Sequence, residues 1–243
     1  VPAPGGGRIG RARRTQNTKI MNDTALWGAI FDWDGVVTAS EDLHEKAWEV
    51  YAGRENLRLP EGYFKRSFGQ RNEDIIPHVL GWAQEPSEVR RLADAKEACY
   101  RELVRQEGIR PLPGVETWLR RLAEAGIPRV VGSSTPRANI ECALEVLALD
   151  TPFDAVVASE DVSRGKPDPE VFLSCGERLG LPPGRGVVFE DAPVGIEAGR
   201  AAGFHVVAVT TSHPPDRLRA AHRVVDRLDA LDIGELDARF QAP

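Results

Sequence analysis

Short apolar runs punctuate the chain, and each is followed by turn residues and then by a stretch with helical spacing. The runs cover residues 26–31, 128–132, 155–158, 186–189 and 205–209, with a weaker sixth at 223–225. They are rich in β-branched residues and apolar at consecutive positions, as expected of strands buried on both faces of a parallel sheet. The segments between them read as helices. Residues 114–125 carry Val115, Trp118, Leu119 and Leu122 on one stripe, with Gly126 as the stop. Residues 136–149, 169–179 and 193–202 behave alike, and Gly180 and Gly203 stand as stops. Strand–helix alternation of this kind predicts βαβ units, hence an α/β fold with a Rossmann-like parallel sheet core.

Residues 41–107 interrupt the alternation. They contain no convincing strand and read as helices over 41–53, 60–68, 71–82 and 86–106. A wholly helical insertion after the first strand is expected to form a cap over a core built from residues 22–40 and 108–243, with connections near 38–42 and 107–111. Residues 1–21 lack apolar periodicity, are rich in Gly, Pro and Arg, and end at Met21, the only methionine. They are expected to be a disordered or non-native tail.

Composition narrows the class without choosing a chemistry. With 243 residues the chain is long enough for a large α/β domain and a small one. Hydrophobic residues at 42% and charged residues at 28% are ordinary soluble usage. A formal net charge of −6 disfavours nucleic acid as the main partner. No apolar run approaches the ~20 residues that span a bilayer. Three widely spaced cysteines with no CxxC pair offer neither a disulfide framework nor a zinc pattern, and fit a cytoplasmic protein. The expected partner is a small molecule, and the expected assembly a monomer or weak homodimer.

Four polar clusters fall at the ends of the predicted strands. The first, Phe31-Asp32-Trp33-Asp34-Gly35, puts two acids two residues apart where parallel α/β sheets bind ligands. One carboxylate can attack phosphorus while the other serves as acid and base; solvated turn acids are the plainer alternative. The second, Gly132-Ser133-Ser134-Thr135-Pro136, supplies hydroxyls and N–H groups at a helix start, suited to a phosphate or to simple capping. The third, Arg164-Gly165-Lys166-Pro167-Asp168-Pro169, offers Lys166 to neutralise a phosphate and a crowded aspartate, although loop lysines are commonly just solvated. The fourth, Glu190-Asp191-Ala192-Pro193, suits a hard, oxygen-seeking Mg2+ ion, and Asp191 ahead of Pro193 also fits helix capping.

Taken together, these clusters resemble the motifs of the haloacid dehalogenase-like superfamily, over about residues 25–231. The helical insertion and the Glu-Asp pair look like its β-phosphoglucomutase and sugar-phosphatase branch. The resemblance implies that Asp32 is nucleophile and metal ligand, and that Asp34 is general acid/base with its carbonyl on the metal. It implies that Ser133 and Lys166 hold the phosphoryl group and that Glu190 and Asp191 complete a Mg2+ site. His44 and Arg71 match cap positions that face the active site in the mutase branch, and Ser134 and Arg137 stand where they can meet substrate. Each of these four also fits an ordinary surface or helix-start role. The pattern departs from the family at Ala39-Ser40, where an acid commonly precedes the hydroxyl. True dehalogenases lack the acid that Asp34 supplies, so its presence favours phosphate esters.

The expected function is thus a Mg2+-dependent phosphatase acting on a small phosphorylated metabolite through an aspartyl-phosphate. A β-phosphoglucomutase-like phosphomutase is the alternative, and a non-catalytic binding protein on the same fold a remote one. The 132–137 loop also looks like that of plant plastid phosphatases of flavin biosynthesis, which makes a phosphoribityl compound a candidate substrate.

Overall fold

The computed structural model describes residues 25–241 apart from residues 26, 68, 152 and 183; the tail expected at 1–21 lies outside the described residues. Six strands form one sheet: β1 (Gly28–Phe31), β2 (Arg129–Gly132), β3 (Ala155–Val157), β4 (Gly186–Glu190), β5 (His205–Val209) and β6 (Arg223–Val225). They lie in the order β3-β2-β1-β4-β5-β6, and every pairing is parallel. The weak run at 223–225 is one of the two edge strands, which is why its residues are only half-buried and its apolar signal faint.

The consecutive apolar positions serve two cores. In β1, Ala29 and Phe31 face one side with Val131, Phe189, Val207 and Trp118. Ile30 faces the other with Val130, Val188, Val206, Phe172 and Ile196. Helices α5 (Val115–Glu124), α6 (Arg137–Leu147) and α9 (Ile233–Gln241) supply Trp118, Ile140 and Phe240 to the first core. Helices α7 (Glu170–Leu179) and α8 (Pro193–Ala201) supply Phe172 and Ile196 to the second. Sequence reasoning did not find α9. Its buried anchors are just Leu236 and Phe240, too few to show a stripe. It is held instead by Trp27, which donates to Asp237 Oδ1 at 2.7 Å and stacks on Phe240.

Between β1 and β2 the described residues form α1 (Glu41–Glu55), α2 (Tyr63–Ser67), α3 (Asn72–Asp74), a π-helical turn (Ile75–Leu80) and α4 (Pro86–Glu107). The helix expected over 71–82 runs without a gap from Asn72 to Leu80 and passes from α to π geometry at Ile75, around Pro77, which lacks an N–H. Gly81, at φ +67°, ends it. Helices α1 and α4 pack through Trp48, Tyr51, Tyr100 and Leu103. The two chain connections to the insertion run side by side: Leu112 N–H donates to Val37 O at 3.0 Å, and Ala39 N–H to Arg110 O at 3.2 Å. No helix among the described residues is long and apolar enough to cross a membrane.

Strand order reverses between β1 and β4. Their connections leave in opposite directions, which opens a crevice at the carboxyl ends of these two strands. All four polar clusters reach that edge.

Candidate active site

The turn after β1 is shaped by one glycine. Gly35 has φ +77°, and a Cβ there would lie 2.0 Å from Asp191 Oδ2. Only glycine permits both the backbone conformation and the approach of β4's acid to β1's loop. Asp32 N–H donates to Phe189 O at 2.9 Å, so the nucleophile candidate is carried as an extension of the β1–β4 ladder.

Lys166 ties the first and fourth clusters together. Its Nζ lies 2.7 Å from Asp32 Oδ1 and 2.6 Å from Glu190 Oε1, with the side chain 3% exposed. Burial pushes the ammonium toward neutrality, but the two carboxylates outweigh it and hold the proton on. Asp32 feels the converse. Burial raises its carboxyl most, Lys166 pulls it back, and Glu190 pushes it up again, to about 7.

Glu190 and Asp191 divide their labour in a way the adjacent letters do not reveal. Glu190 Oε2 accepts the backbone N–H groups of Asp191 and Ala192 at 2.9 Å each, and Oε1 is taken by Lys166. It thereby holds the turn leading into α8, whose first turn carries no side-chain cap from Asp191 or any other residue among the described residues. Gly195 makes room for it, since a Cβ there would fall 1.7 Å from Glu190 Oε1. Asp191 Oδ2 is buried with no hydrogen-bond partner among the described residues. Burial, then Glu190, then Asp32 drive its carboxyl well above the usual range.

Oxygens of Asp32, Glu190 and Asp191 all lie within 4.8 Å of one another. A partnerless buried carboxylate oxygen beside a second carboxylate is unstable without a cation. An all-oxygen donor set of this kind fits Mg2+. Asp191 has the free oxygen for direct coordination. Glu190, with both oxygens engaged, is better placed to act through water.

Asp34 lies on the other side of the crevice. Ser40 Oγ donates to its Oδ1 at 2.5 Å, Thr135 Oγ1 donates to Oδ2, and His44 Nε2 lies 3.3 Å from Oδ1. Lys96 Nζ sits 3.0 Å from His44 Nδ1, so Nδ1 accepts and Nε2 carries a proton toward Asp34. The His44 ring stacks flat on Tyr100, with centroids 3.9 Å apart. Burial raises the Asp34 carboxyl, but His44 and the bonds from Ser40 and Thr135 outweigh it and hold it at about 2.

These groups border a cavity of about 140 Å3 between sheet and insertion. Asp32, Asp34, His44, Ser133, Ser134 and Lys166 line it; Arg71 and Arg137 do not. Arg71 lies across Gly165, with Nη1 3.4 Å from Ser163 O. Arg137 Nη2 donates to Asp161 Oδ2 at 2.5 Å and to Val156 O at 3.2 Å. The Arg137 guanidinium thus answers acceptors of the fold, while Arg71 also pairs, at 3.6 Å, with Glu73, which lines the cavity.

Sequence reasoning passed over five residues that the site uses. Ser40 appeared only as a family departure, and Thr135 only as part of a hydroxyl run. Lys96 is an unmarked lysine in a helix pattern, yet it is 2% exposed. The β5 end brings Ser212 against the Asp191 carboxyl, and Thr211 Oγ1 donates to Gly35 O. A hydroxyl-rich run at a strand end, Thr210-Thr211-Ser212, was the signal available for the last of these.

One expectation follows for the acid cluster. Asp32 and Asp191 hold protons in the folded state that the unfolded chain has released. Without a divalent cation, stability therefore falls as pH rises from the ordinary carboxylate value through about 7. A cation competes with those protons. Thermal scans should show a larger Mg2+-induced rise in midpoint at about pH 7.5 than at about pH 5. Equal rises would argue against the cluster as the metal site.

A family model described as haloacid dehalogenase-like hydrolase matches residues 28–203. The chain is 37% identical over 212 residues to the chloroplastic 5-amino-6-(5-phospho-D-ribitylamino)uracil phosphatase of Arabidopsis thaliana. That match covers 86% of this chain and 56% of the relative, so the chain spans just over half of that protein's length. It is 32% identical over 206 residues to hexitol phosphatase A of Escherichia coli, covering 85% of this chain and 93% of that one. Among solved structures, β-phosphoglucomutase from Clostridium difficile has a TM-score of 0.76 at 25% identity, covering 88% of this chain and 96% of that one.

Proposed function

The chain belongs to the haloacid dehalogenase-like hydrolase family, and on that premise we propose that it is a Mg2+-dependent phosphatase of small phosphorylated metabolites. The observation that carries the reading is that Asp32, Asp34 and Lys166 line one cavity while Asp32 also meets the buried acids Glu190 and Asp191. Asp32 attacks phosphorus, the ester P–O bond breaks, and the leaving oxygen takes a proton from Asp34. Water then gives a proton to Asp34 and attacks the aspartyl-phosphate, releasing phosphate and restoring Asp32. Ser133, Ser134 and Lys166 orient the phosphoryl oxygens. Asp32, Asp191, the Asp34 carbonyl and, through water, Glu190 would hold Mg2+, which neutralises charge on those oxygens when bound. Asp34 rests as a carboxylate held by Ser40, His44 and Thr135, so it must first take up a proton, from the entering phosphate ester or from solvent, before it can give one to the leaving oxygen.

The cavity's charge favours hydrolysis over mutase chemistry. A bisphosphate intermediate needs a second cationic seat. The lysines on the cavity are Lys166, committed to Asp32 and Glu190, and Lys96, committed to His44 and Glu97. On the insertion side Glu97 is paired with Lys96 and Glu73 lies 3.6 Å from Arg71, which leaves Asp94 to repel a second phosphate. Ser67, Gln70 and Asn72 beside Trp48 and Phe64 suit a hydroxyl-bearing chain that ends in an apolar or flat group. The ribityl and hexitol compounds named for the two phosphatase relatives are both open-chain polyols. We take the terminal phosphate ester of such a polyol as the substrate class, with 5-amino-6-(5-phospho-D-ribitylamino)uracil as one member.

A panel of polyol, aldose and nucleotide monophosphates with Mg2+ tests this, read for both free phosphate and isomerised product. Phosphate release should be fastest from open-chain polyol monophosphates and should disappear with EDTA. Interconversion of β-glucose 1-phosphate and glucose 6-phosphate without phosphate release would replace the reading with the mutase. Mg2+ binding with no turnover of either kind would replace it with the binding protein.

A further inference from the structure

Glu97 lies on α4 with its carboxylate sealed from solvent, the residue being 5% exposed. Its Oε1 accepts from Lys96 Nζ at 3.0 Å and from Asn72 Nδ2 at 2.6 Å. Its Oε2 accepts from Asn139 Nδ2 at 2.5 Å. Lys96 and Asn72 belong to the helical insertion. Asn139 belongs to α6 of the sheet-bearing part and is fully buried. The Asn139 Oδ1 accepts from Arg101 Nη1 at 2.8 Å, which returns to α4. One side-chain amide thus receives a guanidinium and donates to a carboxylate across the boundary, and only this orientation of the amide satisfies both. Burial raises the Glu97 carboxyl, but Lys96, His44 and the two asparagine amides outweigh it and keep it charged.

These bonds exist only while α4 lies against α6. If the insertion swings away about the paired connections at Val37–Leu112 and Ala39–Arg110, Glu97 and Asn139 exchange each other for water. The far side of Glu97 leads to the chemistry. Lys96, held at 3.0 Å by Glu97, is itself 3.0 Å from His44 Nδ1, and His44 Nε2 reaches Asp34. Helix α6 begins directly after the Ser133–Pro136 loop that borders the cavity.

We propose that Glu97 and Asn139 form a latch that makes insertion closure and the placement of Asp34 one event. Docking α4 on α6 fixes Glu97, which fixes Lys96, which holds His44 against Asp34. Both are positioning residues: neither contacts the acid cluster that would hold the metal. The catalytic half of the proposal rests on the phosphatase reading above, and the closure half on geometry alone.

The test is a charge swap across the boundary in the full chain. Asn139→Asp places a second carboxylate against Glu97 and should open the molecule. Adding Glu97→Gln restores one amide and one carboxylate with their places exchanged, while Arg101 and Asn72 keep acceptors. Small-angle scattering well below the unfolding midpoint should show a larger radius of gyration for the single variant and the wild-type value for the double. With the best substrate of the panel, kcat/KM should fall about 100-fold in the single variant and return to within about fivefold in the double. A single variant as compact and as active as wild type overturns the latch. So does one whose unfolding midpoint alone drops, since that is packing without closure. If Asn139→Asp does not fold, Asn139→Leu removes the same bonds without the repulsion and should open and slow the enzyme in the same direction; an unchanged radius again overturns the proposal. Should the wild type hydrolyse nothing in the panel, scattering alone decides the latch, so the two readings fail separately.

Discussion

Asp32→Asn is expected to lower turnover by at least about 10^4-fold while the protein stays folded. An amide matches the carboxylate in shape but cannot attack phosphorus, so no aspartyl-phosphate forms. The fold should tolerate the change for an electrostatic reason. Asp32 shares its buried corner with Glu190 and Asp191, and its carboxyl is pushed up to about 7 by burial, with Glu190 and Asp34 adding to the rise against the pull of Lys166. Removing its charge relieves repulsion among the acids, while Lys166 keeps Glu190 at 2.6 Å. The thermal midpoint without divalent cations should therefore hold or rise. Phosphate release with the best substrate, together with a thermal scan, checks both halves. Turnover within tenfold of wild type would remove Asp32 as the nucleophile; a collapsed midpoint would mean that its role is structural.

Lys166→Met is expected to damage stability and activity together, which separates it from Asp32→Asn. The ammonium is the shared cation of Asp32 and Glu190 in a site where its side chain is 3% exposed. Without it, two buried carboxylates face each other unpaired. Breaking one side of a buried ion pair costs about 3–5 kcal/mol, or a fall of roughly 10 °C in midpoint for a chain of this size. Turnover should fall about 10^3-fold or more, because a positive charge aimed at the phosphoryl oxygens is lost. Mg2+ should restore part of the stability, since it neutralises the same acids, but not the turnover. Recovery of both on adding Mg2+ would mean that Lys166 only balances charge and does not orient the phosphoryl group.

Some of this was legible in the linear chain for a local reason. The parallel sheet follows from apolar runs at consecutive positions, which Ile30 and Phe31 satisfy by serving opposite cores. The four polar clusters are readable because each abuts a strand end, where backbone geometry alone delivers side chains to the crevice. The weak strand at 223–225 and the missed helix Ile233–Gln241 mark the limit of such reading. An edge strand and a helix anchored by two buried residues carry little periodic signal, and both are held by contacts with distant residues.

The amino-acid sequence by itself determined the fold class, the place of the helical insertion between the first and second strands, and which acids and lysine could carry phosphoryl transfer. Tertiary structure alone decided how they share the work. Glu190 rather than Asp191 holds the backbone of the turn before α8, and Asp191 keeps an oxygen with no hydrogen-bond partner among the described residues, open to a cation. Asp34 is gripped by Ser40, His44 and Thr135, the last 101 residues away in the chain. Arg71 bonds Ser163 and pairs with Glu73, and Arg137 bonds Asp161. Glu97 meets Asn139 across 42 residues of chain. Periodicity encodes which face of an element is buried. The partner of a buried charge is set by which elements pack together, and no spacing along the chain records that.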